Sequence, residues 1–315
     1  MTWCDDRGTL VTRRELCRAA VGSAAALLAA PLLSAAQPAK PGLRYILASS
    51  LYGMGRLEEI LPEVGKTGTD LVDLWPKHHA DQRDQVEEMG HEKFAALLAR
   101  HRVRLGMTTR YDLGPLKLIE EMRFLKRFGG RLVVTGSVGP RDLSGPECKV
   151  AVKKFIEEMK PQVEAAEQCG VTIGIENHAR ALIATVDSIR YLAELSPSPR
   201  LGIALAPYHL PQDEKLLAQL VTDLGPKLVH FYAWQYGEGC MKPMPKEQEL
   251  KQMPGRGTLD FRPILAAMKK GGYPGWTEIF MHPTPRGIPI LPTTAEVTAE
   301  VVRAKSYLDR CWAEA

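Results

Sequence analysis

From residue 43 onward the chain repeats one pattern eight times: a short apolar run, then a longer stretch with apolar residues at helical spacing. The apolar runs are Leu43–Ser50, Asp70–Trp75, Val103–Thr109, Arg131–Gly136, Val171–Glu176, Leu201–Ala206, Lys227–Ala233 and Trp276–Met281. Their length and the turn residues that bound them predict strands. The stretches between them include Arg56–Val64, His91–His101, Pro115–Phe128, Val150–Cys169, Val186–Leu195, Glu214–Leu224 and Phe261–Lys270 and predict helices; the tail Thr294–Ala313 supplies an eighth. Gly and Pro punctuate the joins, as in Phe128-Gly129-Gly130 and Gln168-Cys169-Gly170. Strands that alternate with helices predict βαβ units and a parallel sheet. A doubly wound sheet would call for a glycine-rich phosphate turn after the first strand, which this chain does not have. The expected architecture is therefore α/β, a single-domain (β/α)8 TIM barrel over residues 43–315, a fold that usually takes about 250 residues.

Two segments stand outside the repeat. Gln235–Thr258, after the seventh strand, shows no periodic element. Connections longer than about 12 residues often serve as lids or binding loops. Trp234, Tyr236, Met241 and Met244 would give such a lid an apolar inner face. An insertion without structure of its own is the other reading. Residues 1–36 predict an export signal, followed by a linker over 37–42: Arg13-Arg14 precedes the apolar run Ala19–Leu33, and Ser34-Ala35-Ala36 supplies a small-residue cleavage site. The arginine pair resembles the twin-arginine type of signal. The apolar run falls short of the roughly 20 residues that cross a bilayer. The expectation is a periplasmic or exported protein with no stable membrane span after processing; an uncleaved tether is the alternative.

Three of the strand runs carry a metal-binding side chain. Val171–Glu176 ends in a carboxylate, Lys227–Ala233 carries His230, and Trp276–Met281 carries Glu278. A buried carboxylate is costly unless it is paired or bound to a cation. The C-terminal ends of parallel barrel strands share one mouth, so these residues should converge there. Leu201–Ala206 has the same form but ends in alanine. Around the same mouth, His178 and His209 follow strands five and six, and Trp75 and His79 follow strand two, where a ring can stack on a sugar face. Arg110 ends strand three and Gln235 follows strand seven. All six are candidate substrate contacts.

Composition narrows the field. The formal charge is +4 with the basic residues scattered, so a nucleic-acid partner gains no support. Hydrophobic residues at 45% and charged residues at 25% fit an ordinary globular protein. Four cysteines, Cys148, Cys169, Cys240 and Cys311, follow the leader without a CxxC pair. A zinc ribbon is not indicated, and one or two disulfides stay open in an oxidising compartment.

Several of these motifs together resemble the xylose-isomerase-like superfamily of sugar isomerases and epimerases, often described as sugar phosphate isomerase/epimerase. The matching stretches are Gly174-Ile175-Glu176-Asn177-His178, Leu228-Val229-His230, and Gly257-Thr258-Leu259-Asp260-Phe261 leading to Gly272-Tyr273-Pro274-Gly275-Trp276-Thr277-Glu278. The resemblance implies one divalent metal ion held by Glu176, His230 and Glu278, with a strand-six aspartate that here falls at Ala206. His209 could replace it, water or substrate could complete an open site, or metal binding could be lost. An oxygen-rich set with one imidazole suits Mn, Mg, Co or Zn. The resemblance also implies paired glutamates that exchange protons with substrate carbon, so Glu176 and Glu278 are the catalytic candidates, and it allows a homo-oligomer.

The function expected is metal-dependent isomerisation or epimerisation of a small-molecule carbohydrate through an enediolate. A lyase that cleaves keto-glycosides by β-elimination would use the same base and metal. A non-catalytic carbohydrate-binding barrel that has lost its metal is the alternative of another class. An endonuclease on the same fold is disfavoured by the mild charge.

Overall fold

The computed structural model describes residues 42–315 together with two short strands near the start, Trp3–Cys4 and Leu10–Val11, which pair antiparallel. The chain divides into two compact units, Met1–Gly42 and Leu43–Ala315. The export signal expected over residues 1–36 lies almost wholly outside the described residues. Among the described residues no helix is long and apolar enough to cross a membrane.

The second unit is a closed parallel barrel. Its strands are β1 (Tyr45–Ala48), β2 (Leu71–Leu74), β3 (Arg104–Thr109), β4 (Leu132–Thr135), β5 (Thr172–Glu176), β6 (Leu201–Leu205), β7 (Leu228–Ala233) and β8 (Trp276–Ile279). Each pairs with its sequence neighbour, and β8 closes the ring on β1 through Thr277↔Tyr45 and Glu278↔Ile46. Every strand coincides with an expected apolar run. Strands buried on both faces need side chains that pack inward against the barrel interior and outward against helices, which is why these runs are apolar without strict alternation.

The helices are α1 (Leu57–Val64), α2 (Gln82–Met89), α3 (His91–His101), α4 (Ile119–Phe128), α5 (Gly145–Cys169), α6 (Val186–Leu195), α7 (Glu214–Leu224), α8 (Arg262–Lys270) and α9 (Thr294–Glu314). Local chemistry fixes their ends. Thr185 and Thr293 close capping boxes with Ser188 and Glu296, and the Asp213 side chain accepts from the amides of Lys215 and Leu216. Gly129 and Gly170 stop α4 and α5 at φ 78° and 71°, a conformation that suits glycine. Helix α2 was not anticipated: its sequence, Gln82-Arg83-Asp84-Gln85-Val86-Glu87-Glu88-Met89, carries too few apolar residues to show a stripe.

The segment after β7 is ordered. It holds a short helix, Lys246–Glu249, followed by a tight turn, Leu250–Gln252. Of its expected apolar inner face, Trp234 is buried and Met244 half-buried, whereas Tyr236 and Met241 are exposed. Cys148, Cys169, Cys240 and Cys311 are all free thiols, so no disulfide joins them.

Close packing leaves some strand positions open only to glycine. A Cβ at Gly202 in β6 would lie 2.5 Å from a Val229 methyl and 2.6 Å from the Lys227 carbonyl oxygen. The Gly202→Ala variant is expected to lose about 1–3 kcal/mol of stability, the usual cost of overpacking, and denaturant melts will measure it.

Candidate active site

The C-terminal end of the barrel gathers residues from six of its eight strands or the segments that follow them. Glu176 is the last residue of β5, His230 lies in β7 and Glu278 in β8. His230 Nε2 stands 3.0 Å from Glu278 Oε2, and His209 Nε2 stands 3.7 Å from Glu176 Oε1. All of these side chains are almost fully withdrawn from solvent.

Burial sets their protonation. It pushes the Glu176 carboxyl up to about 8, against a hydrogen bond from the Tyr111 hydroxyl that pulls it down and with help from the nearby Asp73. Burial raises Glu278 far above the carboxylate range, with Asp73 and Glu176 adding repulsion. The imidazoles move the other way: burial lowers His230 and His209 to about 3, and the neighbouring His178 and Arg286 add to the shift at His209. His230 and Glu278 are therefore close neutral partners rather than an ion pair, since both shifts favour the uncharged forms.

A third carboxylate escaped the sequence reading. Asp73 in β2 is fully buried and accepts from the Thr109 hydroxyl at 2.7 Å. Burial pushes it up to about 8. The rule that singled out Glu176 and Glu278 applies equally to an aspartate inside Leu71-Val72-Asp73-Leu74, and that was the available signal. His282, Tyr111, Tyr232 and Arg286 were also missed. His282 is buried after β8, its ring stacked on His79 at 4.6 Å. The Thr109 hydroxyl lies 3.4 Å from the Tyr232 hydroxyl, which ties β3 to β7.

The other candidates divide. His178 packs its ring 4.1 Å from that of His209 and stands at the mouth. His79 borders the same space, 5.5 Å from the Trp75 ring. Trp75 itself is 2% exposed and stacked on Phe280 at 4.9 Å, so it is a wall of the site rather than an open platform for a sugar face. Arg110 requires correction. Its guanidinium is held by Asp112 at 2.8 and 2.9 Å and by the buried Glu121 of α4. It faces a cleft of about 630 Å³ on the flank of the barrel, lined also by Arg83 and Phe124, and is spent on structure. Gln235 requires the same correction: its amide donates to the Met253 carbonyl at 2.7 Å and accepts from the Leu259 amide at 2.9 Å, which ties down the long segment after β7.

Position 206 has a backbone explanation. The Asn177 side chain accepts from the Ala206 amide at 2.8 Å and donates to the Ala206 carbonyl at 3.0 Å. This pair of bonds holds the end of β6 beside Glu176, whatever side chain position 206 carries.

Several buried polar atoms here have no hydrogen-bond partner among the described residues: both Glu278 oxygens, both His230 nitrogens, His209 Nε2, Asp73 Oδ1 and Trp75 Nε1. Orphaned carboxylate oxygens and imidazole nitrogens are what a divalent cation would satisfy, and the donor types fit one. The described side chains supply them as the pairs His230–Glu278 and His209–Glu176, and no group of three or more His, Cys, Asp or Glu among them closes to metal-holding distance.

The sequence profile described as the xylose isomerase-like TIM barrel matches residues 61–304, most of the chain. The chain belongs to the xylose isomerase-like TIM barrel family. Within this family fold, the structure of the IolI protein with a bound zinc atom superposes with a TM-score of 0.64 at 16% identity, over 86% of this chain and 99% of that one. D-psicose 3-epimerase from Clostridium cellulolyticum H10, solved with D-tagatose, gives 0.63 at 14% identity, over 86% and 99%. L-ribulose 3-epimerase gives 0.62 at 15% identity, over 86% and 95%. At such identities the likeness speaks for the fold. No curated protein matches the sequence itself.

The buried carboxylates generate a pH test. The unfolded chain loses the Asp73 proton near pH 3.8, whereas the folded protein keeps it to about pH 8. Across that window only the folded state binds the proton, so this group's contribution to stability falls as pH rises, by up to about 1.4 kcal/mol per pH unit. Asp73→Asn is expected to melt near the wild-type temperature below about pH 4 and increasingly above it as pH rises toward 8, as measured by thermal denaturation.

Proposed function

We propose that this protein is an exported, divalent-metal-dependent sugar isomerase or epimerase that moves a proton at carbon next to a carbonyl. The observation that carries the reading is the pair Glu176 and Glu278: two buried carboxylates, on different strands at one barrel end, each beside a neutral imidazole. The epimerase and isomerase names among the similar solved structures support this class and a small carbohydrate substrate. Export rests on the pattern of residues 1–36.

The chain's own groups supply the proton path. Tyr111, whose phenol proton is retained by burial and by the facing Glu176, donates to Glu176 Oε2 and fixes that carboxyl in place. The other oxygen of Glu176, Oε1, faces His209 Nε2 at 3.7 Å. A carboxyl poised near pH 8 is a stronger base than one in water, and it carries a proton over much of the neutral range. An α-hydroxy carbonyl seated between the glutamates gives its C–H proton to one of them. The electron pair passes through the enediolate to the carbonyl oxygen. The other glutamate then returns a proton, to the opposite face of the same carbon in an epimerase or to the neighbouring carbon in an isomerase. His178 and His79, neutral imidazoles at the rim, are placed to bind hydroxyls. A divalent cation held by Glu176, His230, Glu278 and His209 would polarise the carbonyl and stabilise the developing charge.

Glu176→Gln and Glu278→Gln are each expected to lower turnover by about 10²–10⁴-fold, the usual worth of a positioned acid or base, without lowering the melting temperature. The measurement is solvent-deuterium incorporation into candidate ketoses with added Mn²⁺ or Zn²⁺. Wild-type exchange in both variants would sink the proposal, and release of an aglycone from a keto-glycoside would reassign the protein as a lyase. Ala206→Asp is expected to tighten metal binding by about ten-fold or more in calorimetry, the scale on which changes around a bound metal move its affinity. Unchanged affinity would show that position 206 does not face the cation.

A further inference from the structure

Above the carboxylates, the segment after β8 carries one guanidinium, that of Arg286. Its Nη1 donates to the Pro283 carbonyl at 3.0 Å and its Nη2 to the Cys240 thiol at 3.2 Å. Cys240 Sγ lies 2.9 Å from the Tyr208 hydroxyl, and the Tyr208 ring stacks on Trp234 at 3.9 Å and meets His209 at 4.9 Å. A continuous line of contacts thus leads from Arg286 to the His209–Glu176 pair. The positive charge of Arg286 also works against protonation of four imidazoles, His79, His178, His209 and His282.

Two features bear on its role. Among the described residues no carboxylate lies within ion-pairing distance of it, a property it shares with Arg180 and Arg131, whereas Arg83, Arg110, Arg256 and Arg303 are paired. Its segment is also anchored on both sides. Gly287 O accepts from the Met54 amide at 3.0 Å and the Ile290 amide donates to Leu51 O at 2.9 Å. On the other side, the Thr284 amide donates to Glu249 at 2.9 Å and its hydroxyl to Cys240 O at 3.1 Å. A guanidinium with free donors on a fixed mount, in a mouth otherwise lined by aromatic rings and imidazoles, lacks only its anion. The planar fork matches a carboxylate or a phosphate through two parallel hydrogen bonds.

We propose that Arg286 is the specificity-determining residue of the site and that the substrate is a carbohydrate bearing an anionic group, a carboxylate or a phosphate, which Arg286 clamps. This rests on the reading of the mouth as a sugar site, and it narrows the substrate class.

The test uses the fluorescence of the mouth residues Trp75 and Trp234 in titrations of the full chain with D-glucose, D-glucuronate and D-glucose 6-phosphate. At least one anionic sugar is expected to bind ten-fold or more tightly than glucose, with an advantage that shrinks as salt is added. In Arg286→Met, and in Arg286→Gln as a second variant, the ratio of anionic to neutral affinity should fall toward one. The stronger of the two anionic probes identifies the group. Equal affinity for all three sugars, or an advantage that survives in both variants, overturns the proposal. Deuterium exchange into a neutral ketose without any preference for the anionic sugars overturns this inference and leaves the isomerase reading standing. Absence of both binding and exchange for every sugar overturns the two together.

Discussion

Closing eight parallel strands into a ring brings Asp73, Glu176 and Glu278 into one buried space, and the character of the site follows from that burial, with charge repulsion adding to it at Glu176 and Glu278. Three carboxylates that cannot all ionise must share protons among themselves or accept a cation. The surroundings are consistent with that demand. Thr109 and Tyr111 donate to two of the carboxyls, and the imidazoles close by are held neutral by burial. A barrel interior would ordinarily be filled by Val, Ile and Leu at little cost. Polar groups left without partners in such a place mark where folding stability has been given up for chemistry.

The barrel itself was legible because its signals are local and repeated. Eight apolar runs, each followed by turn chemistry and an amphipathic stretch, leave few other topologies. Glu176, His230 and Glu278 were legible for a related reason: a charged or ionisable residue inside a strand-like run is conspicuous. Asp73 obeys the same rule but sits in an earlier strand, away from the recognisable motifs. Arg110 shows the opposite failure. Its position at the end of β3 is right for a site residue, but its direction is decided by Asp112 and by Glu121, which arrives from α4. Gln235 was misjudged because a side-chain amide that serves the backbone looks, in sequence, like one that serves a ligand. Arg286 drew no notice in sequence because its bonds to Pro283 and Cys240, and through Tyr208 its link to His209, are made only by packing.

Asn177 shows how a motif can hide its purpose. In sequence it is a spacer between Glu176 and His178. In the structure its amide occupies both hydrogen-bonding groups of Ala206 and fixes where β6 ends relative to β5. The backbone at position 206 is therefore specified independently of its side chain, and the alanine there need not have disturbed the strand.

The segment after β7 is fastened largely by glutamines. Gln235 and Gln252 make side-chain bonds to Met253, Leu259, Trp234, Glu249 and His282, and Gln212 accepts from the Tyr236 amide. Primary amides neither gain nor lose protons in any physiological range. These amide ties hold at any acidity, unlike the ionic ties Lys246–Glu249 and Lys251–Glu238 in the same segment and unlike the carboxyls and imidazoles of the site.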